Sequence, residues 1–154
     1  MAIGEICSRN AVFARRSESV TSAARLMRDT HVGCLVVADE SNGDTIPVGI
    51  LTDRDITVAV VAPGLDANTI QVGDVMSEEL LTVNEDAGIA ETVELMRVRG
   101  IRRLPVTDAD GRLIGLVAAD DIMSLLAEEI SGLSGMIARE EKRERTLRKT
   151  PTHQ

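Results

Sequence analysis

Thr52 and Asp55 stand three positions apart, after the apolar run Gly49-Ile50-Leu51 and just ahead of Ile56. A carboxylate at such a place can accept hydrogen bonds from both hydroxyls of a vicinal diol, and Thr52 adds a hydroxyl beside it. A helix beginning there also presents backbone N–H groups and the positive end of its dipole, which suits phosphate. The same spacing is that of a capping box, Thr at the N-cap with an acid three residues on, and a capping box needs no ligand. Asp121 follows a similar apolar run, but Ala118 stands where Thr52 stands in the earlier segment, so one hydroxyl is missing. Asp121 then reads either as a second diol acceptor or as an acid favoured by the dipole in a first helical turn. Arg102 and Arg103 form a basic pair just before Leu104-Pro105-Val106, suited to a phosphate or to an ion pair with surface acids.

Other chemistries find little support. His31 and His153 are the two histidines of the chain, and there is no Gly-x-Ser-x-Gly, no Walker A loop and no carboxylate–histidine constellation. An enzyme is not expected. Cys7, Cys34 and His31 match no structural zinc spacing, so no metal site is expected either. Two cysteines are too few for a disulfide framework and agree with a reducing compartment. With a formal net charge of −8 the chain repels a polyanion, and Phe13 is its single aromatic residue, so nucleic acid finds neither attraction nor a stacking platform. A bound base would sit between aliphatic side chains and backbone. The sequence contains no apolar stretch long enough to span a bilayer and no basic-then-apolar leader, so a cytoplasmic protein with no membrane partner is expected.

The elements that must position these residues come from an internal repeat. Ile3-Gly4-Glu5-Ile6-Cys7-Ser8 aligns with Val72-Gly73-Asp74-Val75-Met76-Ser77, and the same offset carries Leu26-Met27-Arg28 onto Leu95-Met96-Arg97. Gly49-Ile50-Leu51 then matches Gly115-Leu116-Val117, so the first copy carries three extra residues, placed in the Asp39–Asp44 turn. Helical spacing predicts one helix over Ser19–Asp29 and its counterpart over Gly88–Arg97. Val-, Ile- and Leu-rich runs predict strands at Cys34–Ala38, Pro47–Leu51, Leu104–Val106 and Leu113–Val117, each pair joined by a turn. Capping residues at Asp53 and Asp120 predict a second helix in each copy, the first broken by Ala62-Pro63-Gly64. The order per copy is β-α-β-β-α. From about Ala127 the chain leaves the repeat, Leu126, Ile130, Leu133 and Ile137 keep a helical seam despite Gly132 and Gly135, and a densely charged end follows from Arg139 to Lys149.

This repeat, with Gly-hydrophobic-hydrophobic-Thr-x-x-Asp before its last helix, resembles the CBS domain family, present as a pair. The segments that carry the likeness are Gly49–Ile56 and Gly100-Ile101-Arg102-Arg103-Leu104-Pro105-Val106. The resemblance implies an α/β (α+β) fold of two pseudo-symmetric repeats packed through their sheets, with a C-terminal helical extension. We divide the chain into repeat 1 at 1–63, repeat 2 at 64–127 and a charged tail at 128–154. It further implies a regulatory module, a Bateman module, that binds an adenine nucleotide (AMP, ADP, ATP or a relative such as NAD) as a regulatory ligand, with no obligatory cofactor. Thr52 and Asp55 would take phosphate or ribose and the ribose hydroxyls, Asp121 a second ribose, and Arg103, with Arg102, the phosphates. Ser8, Ser77 and Ala118 complete the implied nucleotide surroundings. The implied partners are a homodimer mate and an effector protein. The alternative is a ligand-free dimerisation scaffold in which Thr52, Asp55 and Asp121 are helix caps.

Overall fold

The computed structural model describes residues 1–77 and 79–148. The described chain falls into a compact unit, Met1–Ala119, and a second unit from Asp120 onward.

Within the first unit the two copies repeat one plan. Copy one runs α1 (Ile3–Ile6), β1 (Phe13–Ala14), α2 (Val20–Thr30), β2 (Cys34–Ser41), β3 (Asp44–Thr52) and α3 (Asp53–Ile56), the last prolonged by a π-helical turn, Thr57–Val61. Copy two runs α4 (Val72–Val75), β4 (Val83–Asn84), α5 (Ile89–Arg99), β5 (Arg103–Thr107) and β6 (Leu113–Ala118). Each copy has its own three-stranded sheet, ordered β1-β2-β3 and β4-β5-β6, with the first pair parallel and the second antiparallel. A bulge falls at the same place in both, between Val37 and Ala38 and between Val106 and Thr107.

The apolar faces of α2 and β2 explain where the core lies. Ala23 and Met27 of α2, Leu35 and Val37 of β2, Leu51 of β3 and Val72 at the start of α4 are buried together, Val72 having crossed from the second copy. Ser19 caps α2 through its hydroxyl, which accepts the Ser22 amide at 3.1 Å, and His31 ends that helix in the left-handed region at φ 57°. The helical segment formed by α3 and its π-helical turn stops at Val61, just before Pro63, which has no N–H to carry the helix on.

Two expectations change. The three extra residues of copy one do not make a longer loop. They lengthen the strands, and β2 and β3 close through the two-residue turn Asn42-Gly43, with φ of 53° and 86°, a conformation that Asn and Gly adopt cheaply and that matches strand twist. The order β-α-β-β-α starts each copy on a strand, whereas each copy in fact opens on a single helical turn, with Ser8 at the exit of α1 and Ser77 at the exit of α4. An acid secures each turn: Glu5 accepts the Ala2 amide at 3.2 Å and Asp74 the Gln71 amide at 3.0 Å.

Those two turns are exchanged between the copies. Ile3 and Gly4 donate to the carbonyls of Ala87 and Glu85 in copy two, at 2.9 and 2.8 Å, while Val72 and Gly73 donate to Glu18 and Arg16 in copy one, at 2.8 and 3.0 Å. The exits continue the exchange. Ser77 donates its amide to Ile50 of β3 at 2.9 Å, and Ser8 exchanges two amide–carbonyl bonds with Leu116 of β6, at 2.9 and 3.0 Å. Gly49 and Gly115 make this crossing possible. A Cβ at Gly49 would sit 2.7 Å from the Ser77 carbonyl oxygen, and one at Gly115 2.5 Å from that of Ser8.

The last helix, α6, starts at Ala119, the final residue of the first unit, and runs 29 residues to Leu147, so that from Asp120 it makes up the described part of the second. It is helical through Gly132 and Gly135 and through the charged segment from Arg139. Residues 149–154, the end of the tail read from sequence, and His153 with them, lie outside the described residues. Among the described residues no helix is long and apolar enough to cross a membrane.

Candidate functional site

The exchange places residues from both copies around one cavity of about 270 Å³, lined by Cys34, Ile50, Thr52, Asp55, Ser77, Glu79, Leu81, Ile101, Arg102 and Arg103. Thr52 ends β3, beside Cys34 on the adjacent strand, and Asp55 lies in the single turn of α3. Ser77 arrives because its segment crosses onto β3. Arg102 and Arg103 come from the start of β5 in the other copy.

Thr52 and Asp55 satisfy one another. The Asp55 amide donates to Thr52 Oγ1 at 3.1 Å, and the Thr52 amide donates to Asp55 Oδ2 at 2.8 Å, a complete capping box. The capping reading is therefore realised in the geometry. It does not exhaust either group, since a carboxylate has about four acceptor positions and Thr52 keeps its hydroxyl proton. Thr52 already takes one of the first amides of α3, which leaves fewer N–H groups there for an anion.

The side chain of Arg103 makes no hydrogen bond or ion pair with any described residue. Arg102 does have a polar partner, so it reaches the cavity as a group already engaged. Glu79 adds a carboxylate, itself drawn to Arg99 at 3.6 Å. Burial pushes the Cys34 thiol above its ordinary value, and the nearby Arg103 charge opposes that rise in part. Cys34 and Arg103 are equivalent positions of the two copies: Gly33 and Arg102, one residue earlier, each accept a backbone bond from the first helical residue of their own copy, Asp53 at 3.0 Å and Ala119 at 2.8 Å. The cavity thus sits where the two copies meet.

Five of the residues singled out from sequence, Thr52, Asp55, Ser77, Arg102 and Arg103, are brought together here. Ser8, Ala118 and Asp121 are not among the lining residues. Ser8 has crossed to β6, Ala118 ends that strand, and Asp121 stands in the first turn of α6. Sequence reasoning missed Cys34, Ile50, Glu79, Leu81 and Ile101 as cavity walls. The aliphatic three agree with the expectation that a base would lie between aliphatic groups, but their positions carry no local signal, because Leu81 and Ile101 belong to copy two and Ile50 to copy one.

Comparison with known proteins sharpens this picture. The CBS domain model matches residues 3–62 and again 72–128. The chain is 35% identical over 125 residues to an uncharacterized protein of Methanopyrus kandleri, covering 81% of this chain and 62% of that protein. It is 36% identical over 111 residues to hypoxic response protein 1 of Mycobacterium tuberculosis, covering 72% of this chain and 75% of that one. It therefore spans less than two thirds of the Methanopyrus relative. Among solved structures it resembles the CBS domain pair of protein MJ0100 in complex with 5′-methylthioadenosine and S-adenosyl-L-methionine, with a TM-score of 0.72, 26% identity, and coverage of 84% of this chain and 98% of that one. With both copies matched and their segments interlocked, the chain belongs to the CBS domain family, as a pair of CBS domains.

Proposed function

We propose that this CBS pair is a regulatory module rather than an enzyme, and that the cavity holds an adenine nucleotide whose occupancy is read by a partner protein. One observation carries the reading: the cavity combines a diol acceptor from copy one, Asp55, with Arg103 from copy two, between the aliphatic walls Ile50, Leu81 and Ile101. Asp55 accepts the ribose hydroxyls through the lone pairs its capping bond leaves. Thr52 donates its hydroxyl, and Arg103 meets the phosphate. A ligand held so ties the copies together, which is how occupancy changes the geometry of the pair.

The adenosyl ligands of the MJ0100 structure support the nucleoside half of this assignment. The arginine pair favours a phosphate-bearing relative (AMP, ADP, ATP or NAD) over a cationic sulfonium, since like charges repel across a small cavity. Buried Cys7 and Cys34, both unpaired, suit a reducing cytoplasmic location. The module is proposed to self-associate as a homodimer, because apolar side chains at Val58 and Val61 of the π-helical turn lie exposed and the seam of α6 continues past the repeat.

A thermal-shift panel of AMP, ADP, ATP, NAD and S-adenosylmethionine tests the reading, because a ligand that binds the folded state raises its melting temperature. We expect a rise with at least one phosphorylated member and less with S-adenosylmethionine. No shift with any member at millimolar concentration would overturn it. That result would favour the second reading, a ligand-free dimerisation scaffold, for which the mutually satisfied Thr52–Asp55 capping box is the supporting observation.

A further inference from the structure

The α6 helix continues well beyond the second repeat. At 1.5 Å per residue its 29 residues extend about 43 Å. Met123, Leu126, Ile130, Leu133 and Ile137 recur at alternating three- and four-residue steps, the seam of a two-helix pairing, and all are exposed. Among the described residues, its own unit contains no second element against which to bury them. Ser131, Gly132, Ser134 and Gly135, in the middle of the helix, are weak helix formers, and an isolated helix of such composition is marginal in water. Packing along the seam is what this segment lacks.

Its charges say what supplies the packing. From Asp120 to Ala138 the charged residues are Asp120, Asp121, Glu128 and Glu129, all acidic, while Arg139, Lys142, Arg143 and Arg145 outnumber Glu140, Glu141 and Glu144 in the remainder. A parallel pair of such helices would set acid against acid along the first half. An antiparallel pair removes that repulsion: Asp120 and Asp121 of one helix come level with Arg143 and Lys142 of the other, Glu128 and Glu129 come level with the uncharged Gly135 and Ser134, and the two dipoles oppose favourably. Seam geometry fits the same arrangement. With Ile130 level with Leu133 of the second copy, Leu126 falls level with its Ile137, giving four apolar layers centred on the small residues.

We propose that α6 is a self-association helix, pairing antiparallel with α6 of a second copy of this chain about a centre between Ser131 and Gly132. The proposal rests on the homodimer put forward above and assigns the surface that makes it. The experiment uses the full chain. Light scattering at micromolar concentration should give a dimer, and the Ile130→Asp, Leu133→Asp double variant should weaken dimerisation at least tenfold while leaving ATP affinity unchanged. A wild-type monomer would overturn both the homodimer and this assignment. A dimer that the double variant leaves intact would overturn the assignment alone. Orientation is read by mixing a Leu126→Cys chain with an Ile137→Cys chain of different tag length under mild oxidation. Antiparallel pairing gives the mixed cross-link, and cross-links joining only like chains would overturn it. This second measurement holds even where the aspartate variants fail to fold.

Discussion

Copy one and copy two share a backbone plan down to the position of the bulge and both keep an acid, Asp55 and Asp121, yet they differ at two cavity positions of the strands, Thr52 and Arg103. Where copy one has Thr52, copy two has Ala118, and where copy two has Arg103, copy one has Cys34. In each sheet these two positions are direct cross-strand partners, Cys34 with Thr52 and Arg103 with Ala118. Each copy therefore supplies what the other lacks. The shared plan holds the strands and exchanges the turns, while the differing positions put a hydroxyl, Thr52, in copy one and a cation, Arg103, in copy two. The lesson is that a repeat with identical architecture can carry an asymmetric site.

The largest expected effects test the shared part of the comparison. Gly49→Ala and Gly115→Ala each drive a Cβ against a backbone carbonyl that cannot swing away, which should cost up to about 3 kcal/mol. At roughly 2–4 °C per kcal/mol for a chain of this size, each variant should melt several degrees lower, and by similar amounts. Calorimetry showing one glycine fully replaceable would break the equivalence of the two crossings.

The next effect tests the asymmetry. Asp55→Ala should weaken ATP or AMP binding about ten- to hundredfold, from roughly 1.5–3 kcal/mol lost with a charge-assisted contact, and should lower stability by about 1 kcal/mol as the capping box goes. Asp121→Ala should change that affinity far less. Isothermal titration giving equal losses for both variants would erase the distinction between the copies.

Arg103→Ala should weaken ATP and AMP by about tenfold while leaving adenosine nearly unchanged, because the nucleoside carries no phosphate, and the difference should shrink as salt is raised. Titration at fixed salt finding an equal loss for all three ligands would sink the phosphate role. A smaller effect runs the other way. Ala118→Thr supplies the missing hydroxyl at the start of α6 and should raise stability by about 1 kcal/mol, read as a higher melting temperature.

The smallest effect concerns Cys34. Its folded thiol titrates above its ordinary value because burial disfavours the thiolate. The stability this contributes is complete below the unfolded value of about 8.5 and is lost as pH rises through the folded one. Melting temperature should therefore fall more steeply between pH 8 and 10 in the wild type than in Cys34→Ala. Parallel curves would show that the thiol is not coupled to folding.

Several features were legible because they are local. Thr52-x-x-Asp55 announced a cap by spacing, Pro63 announced the end of a helix by its missing N–H, and the apolar steps of α2 announced its buried face, Val20, Ala23 and Met27. The repeat also predicted which strands pair, since a short turn leaves antiparallel neighbours little choice. The extra residues of copy one were misplaced because an alignment gap shows only where lengths differ. Asn42-Gly43 was the turn signal that would have located it, with longer strands on either side.

The two copies, the order of their elements after the opening turns, the Thr52–Asp55 cap and the residue types available for a site follow from the amino-acid sequence. Tertiary structure alone decided that α1 and α4 change places, so that Ser77 serves β3 of copy one and Ser8 serves β6 of copy two. It also decided that Leu81, Ile101 and Glu79 join Ile50 and Asp55 around one cavity. The physical reason is range: a cap or a turn is written within a few residues, whereas the bonds from Ser77 to Ile50 and from Ile3 to Ala87 join backbone groups that every residue carries. Only the packing of the whole unit selects which of them meet.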